Sequence, residues 1–209
     1  MILEKFVCGP LDNNTFLIVS EKTNKALVVD PSFGSYDKIA IYLKKHQCIL
    51  EKILLTHFHW DHIADVLLLK NEFNPQVYIH RADAFILQNP KDETPSSLIT
   101  IHPIKPDVLL DDNSLIDLSD IELLTIHTPG HTPGSSCFYI EKEKILFSGD
   151  TLFKGSYGRV DFEYSKPQAM IESLKKLSKL PEDVKVYPGH GNATTIGREN
   201  WMKNVEKFI

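Results

Sequence analysis

The sequence predicts a mixed α/β protein, a four-layer αββα sandwich in which two sheets pack face to face and helices cover both outer sides. Strand-like segments open the chain, helices alternate with strands from residue 35 onwards, and the second half repeats this plan. Of the 209 residues, 42% are hydrophobic and 24% are charged, which is typical of a globular protein. We therefore expect residues 1–209 to form one domain.

The first half begins with three predicted strands that form a meander. These strands are the segments ILEKFVC, TFLIVS and KALVVD, and turn-forming stretches at residues 9–14 and 21–24 separate them. A helix over 35–47, a short strand ILLT and a second helix over 61–73 follow. A strand VYIH and a helix over 81–88 complete the first half.

The second half begins after a polar, proline-containing stretch at residues 89–106, where we expect an irregular surface insertion. Strands resume with SLIDL, IELLTIH, SSCFYIE and KILFSGD. A helix over 166–178, a strand VKVYP and a terminal helix are predicted at the end of the chain.

The charge and cysteine content narrow the function classes. The net charge is −5, from 23 basic and 28 acidic residues, and no long run of lysine or arginine is present, so nucleic acid is not an expected partner. Three widely spaced cysteines form neither a disulfide framework nor a zinc-binding pattern, which favours a reducing compartment. The sequence shows neither a secretion signal nor a long apolar span, so we expect a cytoplasmic protein that does not cross a membrane.

The most informative segment is THFHWDH, residues 56–62, which lies between a predicted strand and a predicted helix. It places His57, His59, Asp61 and His62 within six positions. A single histidine is more often structural than a ligand, but four such residues together reverse that balance. His57 and His59 lie in an extended segment and point to one side, whereas Asp61 and His62 begin a helix, so this short segment can offer imidazoles to two neighbouring metal positions.

Three isolated candidates follow predicted strands further along the chain. His131 lies in HTPGHTPGS, Asp150 in FSGDT and His190 in YPGHG. Loops at strand ends often carry functional side chains on a rigid scaffold, and the surrounding glycines and prolines permit tight turns. Imidazole and carboxylate ligands suit zinc, iron or manganese.

Other polar and aromatic residues receive a structural interpretation. We expect His46, His80, His102 and His127 to be surface or hydrogen-bonded residues. The thiol of Cys137, in an apolar strand, is predicted to be buried and inert. The side chains of Phe153, Tyr157 and Phe162 could line an apolar site or could belong to the core.

These motifs resemble the metallo-β-lactamase superfamily, and all seven ligand positions match. The resemblance implies that His57, His59 and His131 hold one divalent metal ion, that Asp61, His62 and His190 hold a second, and that Asp150 bridges the two. Zinc is the first expectation for both ions, with iron or manganese as alternatives. Asp61 is also expected to be catalytic, because a carboxylate at that position can orient or deprotonate the nucleophile.

Within the superfamily, GDTLFKGSYGRVDF and YPGHGNATTIGREN resemble the short, single-domain glyoxalase II hydrolases. The resemblance implies hydrolysis of a small thioester, S-lactoylglutathione above all, to glutathione and lactate. Arg159 would contact a substrate carboxylate, and Tyr157 and Ser156 would lie in the same substrate-side loop. Longer members carry a further helical domain with more glutathione contacts, so a broader thioester preference is expected here.

Three alternatives remain open. A persulfide dioxygenase of the same fold resembles HTPGHTPGS and residues 158–162, and would hold one iron through His57, His131 and Asp150. A lactone hydrolase is a second alternative, and a binding module with a relic site is a third. The β-lactamases that require a cysteine at the Asp150 position fit less well, so hydrolysis of β-lactam antibiotics is not expected. Metal identity, acyl range and oligomeric state do not follow from the sequence.

Overall fold

The first half of the chain forms the first sheet in a computed structural model that describes residues 1–90 and 100–208. In their order across the sheet, the strands are β1 (Ile2–Cys8), β2 (Asn13–Val19), β3 (Lys25–Val29), β4 (Ile49–Leu54), β5 (Gln76–His80) and β6 (Val108–Leu110). The first three strands form the predicted antiparallel meander, whereas β3 to β6 run parallel to one another.

The second sheet has the strand order β14-β13-β10-β9-β8-β7. Neighbouring strands are antiparallel except β10 and β13, which run parallel. A small hairpin of β11 and β12 lies outside both large sheets. The strands are β7 (Leu115–Leu118), β8 (Ile121–His127), β9 (Ser136–Ile140), β10 (Ile145–Gly149), β11 (Leu152–Phe153), β12 (Ser156–Tyr157), β13 (Lys185–Pro188) and β14 (Thr194–Thr195).

Helices cover the outer faces of both sheets, which confirms the predicted four-layer αββα sandwich. Phe16, Leu27 and Phe147 belong to an apolar cluster between the sheets, and two further clusters lie under the helices. Burial of this apolar surface is the main force that holds the layers together. The helices are α1 (Tyr36–His46), α2 (Trp60–Ile63), α3 (Val66–Phe73), α4 (Arg81–Gln88) and α5 (Pro167–Leu177), with 3₁₀ turns at Glu141–Glu143 and Ile196–Lys207.

Two helix predictions are corrected. The helix predicted over 61–73 is divided into α2 and α3 at Ala64 and Asp65, where the Asp65 amide donates to Pro31 O and its carboxylate accepts from the Tyr36 amide. These contacts with the preceding loop replace continuation of the helix. The predicted terminal α-helix is a 3₁₀ segment with non-helical torsion angles at Glu199 and Asn204.

The stretch predicted as an irregular insertion, 89–106, is described only in part. Residues 89–90 and 100–106 form neither helix nor strand, which agrees with the prediction for those positions. Residues 91–99 lie outside the described part of the chain. The strand β6, which follows the stretch and pairs with β5, was not predicted because three residues are too short to show a periodic pattern.

Candidate metal centre

The seven predicted ligands meet at the carboxyl ends of strands from both sheets. His57, His59, Asp61 and His62 lie in the loop after β4 and in α2, and the other three follow β8, β10 and β13. Side chains at such strand ends converge because the two sheets are packed face to face. The ligand residues in question are His57, His59, Asp61, His62, His131, Asp150 and His190.

Three histidines form the first group of the centre. His59 Nδ1 lies 2.8 Å from His131 Nε2, and the His57 ring centre is 4.7 Å from that of His59 and 4.8 Å from that of His131. One nitrogen from each ring lies within 4.8 Å of the others, so the three could bind one metal ion. This is the grouping that the sequence predicts.

Asp61, His62 and His190 form the second group. Asp61 Oδ2 lies 3.5 Å from His62 Nε2 and 3.3 Å from His190 Nε2, and the two imidazole nitrogens are 3.3 Å apart. These atoms also lie within 4.8 Å of one another. The structure therefore provides a second candidate position next to the first.

The Asp150 carboxylate lies between the two groups. One oxygen is 3.4 Å from His62 Nε2, and the other is 3.6 Å from both His131 Nε2 and His190 Nε2. A carboxylate with contacts on both sides is placed as a bridging ligand would be. Its position agrees with the bridging role that the family resemblance implies for it.

The hydrogen bonds of the histidines fix which ring nitrogen faces the centre. Thr56 Oγ1 donates its proton to Asp30 Oδ2 (2.7 Å), so His57 Nδ1, 3.0 Å from that hydroxyl, must be the donor to it. His131 Nδ1 donates to the Arg159 carbonyl (2.7 Å) and His190 Nδ1 to the Leu11 carbonyl (3.0 Å). In its neutral form each ring therefore directs the lone pair of Nε2 into the centre, which is the form that binds metals.

Two buried polar atoms test whether a metal ion fits. His57 Nε2 and Asp150 Oδ1 are buried, and neither has a hydrogen-bond partner among the described residues. An unpaired buried nitrogen or carboxylate oxygen is unfavourable unless a ligand satisfies it. Both atoms belong to the predicted ligand set, so the donor set fits a bound cation.

The two groups differ in charge. Burial and the neighbouring imidazoles lower the pKa of His57 well below its usual value, and burial lowers the pKa of His59 to about 3. Burial also lowers the pKa of His131, so the first group is neutral. In the second group, burial opposes the charge on His62 and His190, but Asp150 and Asp61 outweigh it and raise the pKa of both.

The pKa values of the two carboxyl groups, Asp61 and Asp150, shift downwards. Burial by itself would raise the pKa of Asp61 and Asp150, but the adjacent His62 lowers both, and His190 and Asn13 add hydrogen bonds to Asp61. Both carboxyl groups are therefore ionised. Two buried, ionised carboxylates among imidazoles that can release their protons to a cation form a strong binding site for a divalent metal ion.

Three supporting residues were missed by the sequence analysis. Asp30, at the end of β3, accepts from the Thr56 amide and hydroxyl and bonds to His62 Nδ1 at 2.9 Å, so it orients the ligand loop. Asn13, at the start of β2, donates to Asp61 Oδ2 at 2.8 Å. The third is Asp83 of α4, which accepts from the Thr132 hydroxyl and the Gly134 amide, next to His131. All are single polar residues without a local motif.

Two glycines permit the close approach of the ligand loops. Gly149 has a φ of +49°, and a Cβ there would lie 2.5 Å from Thr56 Oγ1. A Cβ on Gly189 would lie 2.6 Å from His62 Cε1 and would also collide with Asp150 Oδ1. A side chain at either position would push the strand-end loops apart.

The predicted substrate-side residues lie within four positions of one another in the chain, and each has an internal partner. Arg159 forms two hydrogen bonds with Asp161, and the Tyr157 hydroxyl donates to the Phe208 carbonyl at 2.9 Å. The exposed Ser156 hydroxyl contacts the Tyr157 carbonyl at 3.4 Å. Their binding roles stay a prediction.

Two aromatic rings flank the centre at opposite ends. The Phe162 ring is 5.2 Å from His59 and 5.7 Å from His131, and the Phe153 ring is 6.1 Å from His190. Phe162 is 39% exposed, so it forms an accessible apolar wall rather than part of the core. Its position favours the interpretation in which Phe162 lines an apolar site.

The remaining histidines lie outside the centre. His80 and His127 stack with ring centres 3.8 Å apart, His46 stacks on Tyr42, and His102 is exposed. None of the four belongs to a candidate metal group in the described part of the chain. Cys137 is fully buried, and burial raises the pKa of its thiol to about 11, as an inert cysteine requires.

Comparison with known proteins identifies the family to which the chain belongs. The family model of the metallo-beta-lactamase superfamily matches residues 8–190. Hydroxyacylglutathione hydrolase GloC of Haemophilus influenzae is 32% identical over 203 residues, which is 95% of each chain. The chain therefore belongs to the metallo-β-lactamase superfamily and is a metallo-hydrolase of that group, whose members bind divalent metal ions.

Two solved structures extend the comparison. The crystal structure of BLEG-1 B3 metallo-beta-lactamase has a TM-score of 0.85 and 34% identity, and the match covers 95% of this chain and 96% of that one. TTHA1623 in a di-iron-bound form has a TM-score of 0.80 and 32% identity over 94% of this chain and 96% of that one. Within residues 1–90 and 100–208, no helix has both the length and the apolar character needed to cross a bilayer.

Proposed function

We propose that this protein is a binuclear metal-dependent thioester hydrolase that acts on hydroxyacylglutathione thioesters, S-lactoylglutathione first among them. The observation that carries the proposal is the pair of adjacent ligand groups with Asp150 between them. The relative from Haemophilus influenzae that is called a hydroxyacylglutathione hydrolase supports the substrate class. We propose zinc as the metal, with iron as the alternative because TTHA1623 was solved in a di-iron-bound form.

The chemistry follows from the arrangement of the ligands. Divalent ions held by the seven residues would supply Lewis-acid polarisation of the thioester carbonyl and activation of a water molecule. Asp61, whose Oδ2 accepts a hydrogen bond from the Asn13 amide, would orient a water molecule and accept its proton. The leaving thiolate has a parent pKa of about 8.5, so the reaction needs no dedicated general acid.

The walls of the centre contribute by position. Phe162 beside His59 and His131 would exclude bulk water from the reacting carbonyl. The side chains of Arg159 and Tyr157 would bind the thiol portion once released from Asp161 and from the Phe208 carbonyl. Ser156 is the third expected contact in that loop.

A paired assay tests this proposal. The purified protein, with its metal content measured, is incubated with S-lactoylglutathione and, separately, with glutathione persulfide and oxygen. We expect thiol release from the first substrate and no oxygen uptake with the second. Oxygen consumption by a protein that holds one iron would instead identify a persulfide dioxygenase, for which His57, His131 and Asp150 would be the ligands.

Hydrolysis of β-lactams is a second candidate function. It is favoured by the 34% identity and 0.85 TM-score to a protein whose structure is called a B3 metallo-beta-lactamase. A chromogenic cephalosporin added to the same assay separates the two. Turnover of the cephalosporin with a kcat/KM above that of S-lactoylglutathione would make β-lactam hydrolysis the principal activity.

A further inference from the structure

The guanidinium of Arg159 already holds a carboxylate. Arg159 Nε lies 2.9 Å from Asp161 Oδ1, and Nη2 lies 2.8 Å from Asp161 Oδ2. Two parallel N–H···O bonds are the geometry with which arginine binds a free carboxylate. Asp161 therefore takes the place that a substrate carboxylate would occupy on Arg159.

The pair lies directly beside the candidate metal centre. The Arg159 guanidinium carbon is 4.4 Å from the centre of the Phe162 ring, which in turn packs against His59 and His131. The Arg159 carbonyl also accepts the hydrogen bond from His131 Nδ1. Only the Phe162 ring therefore separates the Arg159–Asp161 pair from the three-histidine group.

We propose that Asp161 is a specificity-determining residue, an internal competitor that occupies Arg159 and so reduces the preference of the site for carboxylate-bearing thioesters over neutral ones. This inference rests on the proposed function, because it assumes that Arg159 faces the bound thioester. It concerns which thioesters the protein prefers, whereas the seven ligands concern whether it hydrolyses them.

The pair is weak enough for a substrate to displace it. The side chains of Arg159 and Asp161 are 68% and 64% exposed, and exposed ion pairs are screened by water and salt. While paired, the two side chains present no net charge to an approaching ligand. A carboxylate must therefore replace Asp161 to gain Arg159, whereas a neutral thioester loses nothing.

The test measures ligand preference rather than total activity. The wild type and Asp161→Asn are titrated with S-methylglutathione, a thioether that cannot be hydrolysed, and with its analogue in which both carboxylates are carboxamides. We expect Asp161→Asn to raise the affinity for S-methylglutathione, relative to the affinity for the carboxamide analogue, by about two- to fivefold. The same ratio is then measured as kcat/KM with the corresponding S-lactoyl thioesters, where KM should change and kcat should not.

Two controls separate direct competition from a general charge effect. In an Arg159→Gln background, Asp161→Asn should leave the ratio unchanged, because the competition requires the guanidinium. Asp183 forms an exposed ion pair with Lys144 and lies near the start of β13, whereas His190 follows the other end of that strand. The control variant Asp183→Asn should therefore also leave the affinity ratio unchanged.

The outcomes are distinct. An unchanged affinity ratio in Asp161→Asn, or an equal change in the Arg159→Gln background, would overturn the role of Asp161. The inference would be supported by the expected shift in affinity even if neither S-lactoyl thioester were hydrolysed. In that case the proposed thioester hydrolysis alone would fail.

Discussion

At the scale of single residues, the centre depends on side chains outside the seven predicted ligands. Asp30 connects the Thr56 hydroxyl to His62, and this chain of hydrogen bonds also fixes the tautomer of His57. The Asn13 amide donates a hydrogen bond to the Asp61 carboxylate and so fixes its orientation. Such partners hold a ligand in one orientation, so their loss weakens binding without removing a ligand.

Asn13→Ala tests this support. The variant keeps all seven ligands but leaves Asp61 Oδ2 without its amide donor, so Asp61 can rotate away from His190. We expect the affinity for the second metal ion to fall about 10- to 100-fold, with the first ion less affected. Competition with a chromophoric chelator measures both affinities, and equal weakening of the two would contradict the assignment of Asn13 to the second group.

Asp61→Asn tests the proposed catalytic group. The amide cannot accept a proton from water and is a weaker ligand, so we expect kcat with S-lactoylglutathione to fall at least about 100-fold. Asp37→Asn, on the first turn of α1, is a matched control that should retain activity. A variant at Asp61 with two bound metal ions and full activity would remove Asp61 from the mechanism.

The sequence was sufficient to find the seven side chains that cluster in the centre but not the residues that support them. His57, His59, Asp61 and His62 are detectable because four metal-binding side chains occur in six positions. Asp30 and Asn13 are isolated polar residues at strand ends, where turns and caps commonly use the same residue types. Their role follows only from the three-dimensional contacts, so no local pattern could identify them.

At the scale of elements, α4 joins two ligand loops through Asp83. Its buried carboxylate accepts from the Thr132 hydroxyl at 2.7 Å and the Gly134 amide at 2.5 Å, next to His131. It also accepts a backbone hydrogen bond from Phe58, between His57 and His59. One helix thereby ties together the two segments that supply the three-histidine group.

Asp83 also predicts a pH dependence of stability. Burial raises its pKa to about 7, above the value of an unfolded aspartate, so the folded chain binds a proton that the unfolded chain releases. The contribution of this carboxyl group to the free energy of unfolding is therefore greatest at low pH and falls as the pH rises through about 4 to 7. The variant Asp83→Asn has no carboxyl group at this position, so its stability lacks this pH-dependent contribution.

Urea unfolding of the metal-free wild type and Asp83→Asn tests the direction of this pH dependence. The free energy of unfolding of the wild type minus that of Asp83→Asn should be smaller at pH of about 8 than at about 5. The histidines are common to both proteins, so their titration largely cancels in the difference. A difference that is constant or grows with pH would show that Asp83 is ionised throughout.

The element predictions succeed where periodicity is long and fail where tertiary contacts decide. The meander β1 to β3 and the helix α4 were predicted because each shows its pattern over at least five residues. The break between α2 and α3 arises from hydrogen bonds of Asp65 to Pro31 and Tyr36. Glu199 similarly binds Gly155, Thr194 and Trp201, and the terminal segment bends there.

At the scale of the whole molecule, the centre joins the two halves of the sandwich. The first sheet supplies His57, His59, Asp61 and His62, and the loops of the second sheet supply His131, Asp150 and His190. A cation bound by both sets crosslinks the halves in the folded state only. Binding should therefore stabilise the fold as a whole.

Removal of metal measures that effect. A ligand at 100 times its dissociation constant stabilises the folded state by about 2.7 kcal/mol, so we expect a chelator to lower the Tm by about 5–10 °C. Adding zinc back should restore it. An unchanged Tm after complete removal of metal would show that the halves are held together without the centre.

The number of metal ions per chain tests the central claim most directly. Elemental analysis of the zinc-saturated, desalted protein should give two ions in the wild type and about one in His190→Ala, which lacks a ligand of the second group only. His46→Ala, outside the centre, should retain two. One ion in the wild type that persists in His190→Ala would contradict a binuclear site.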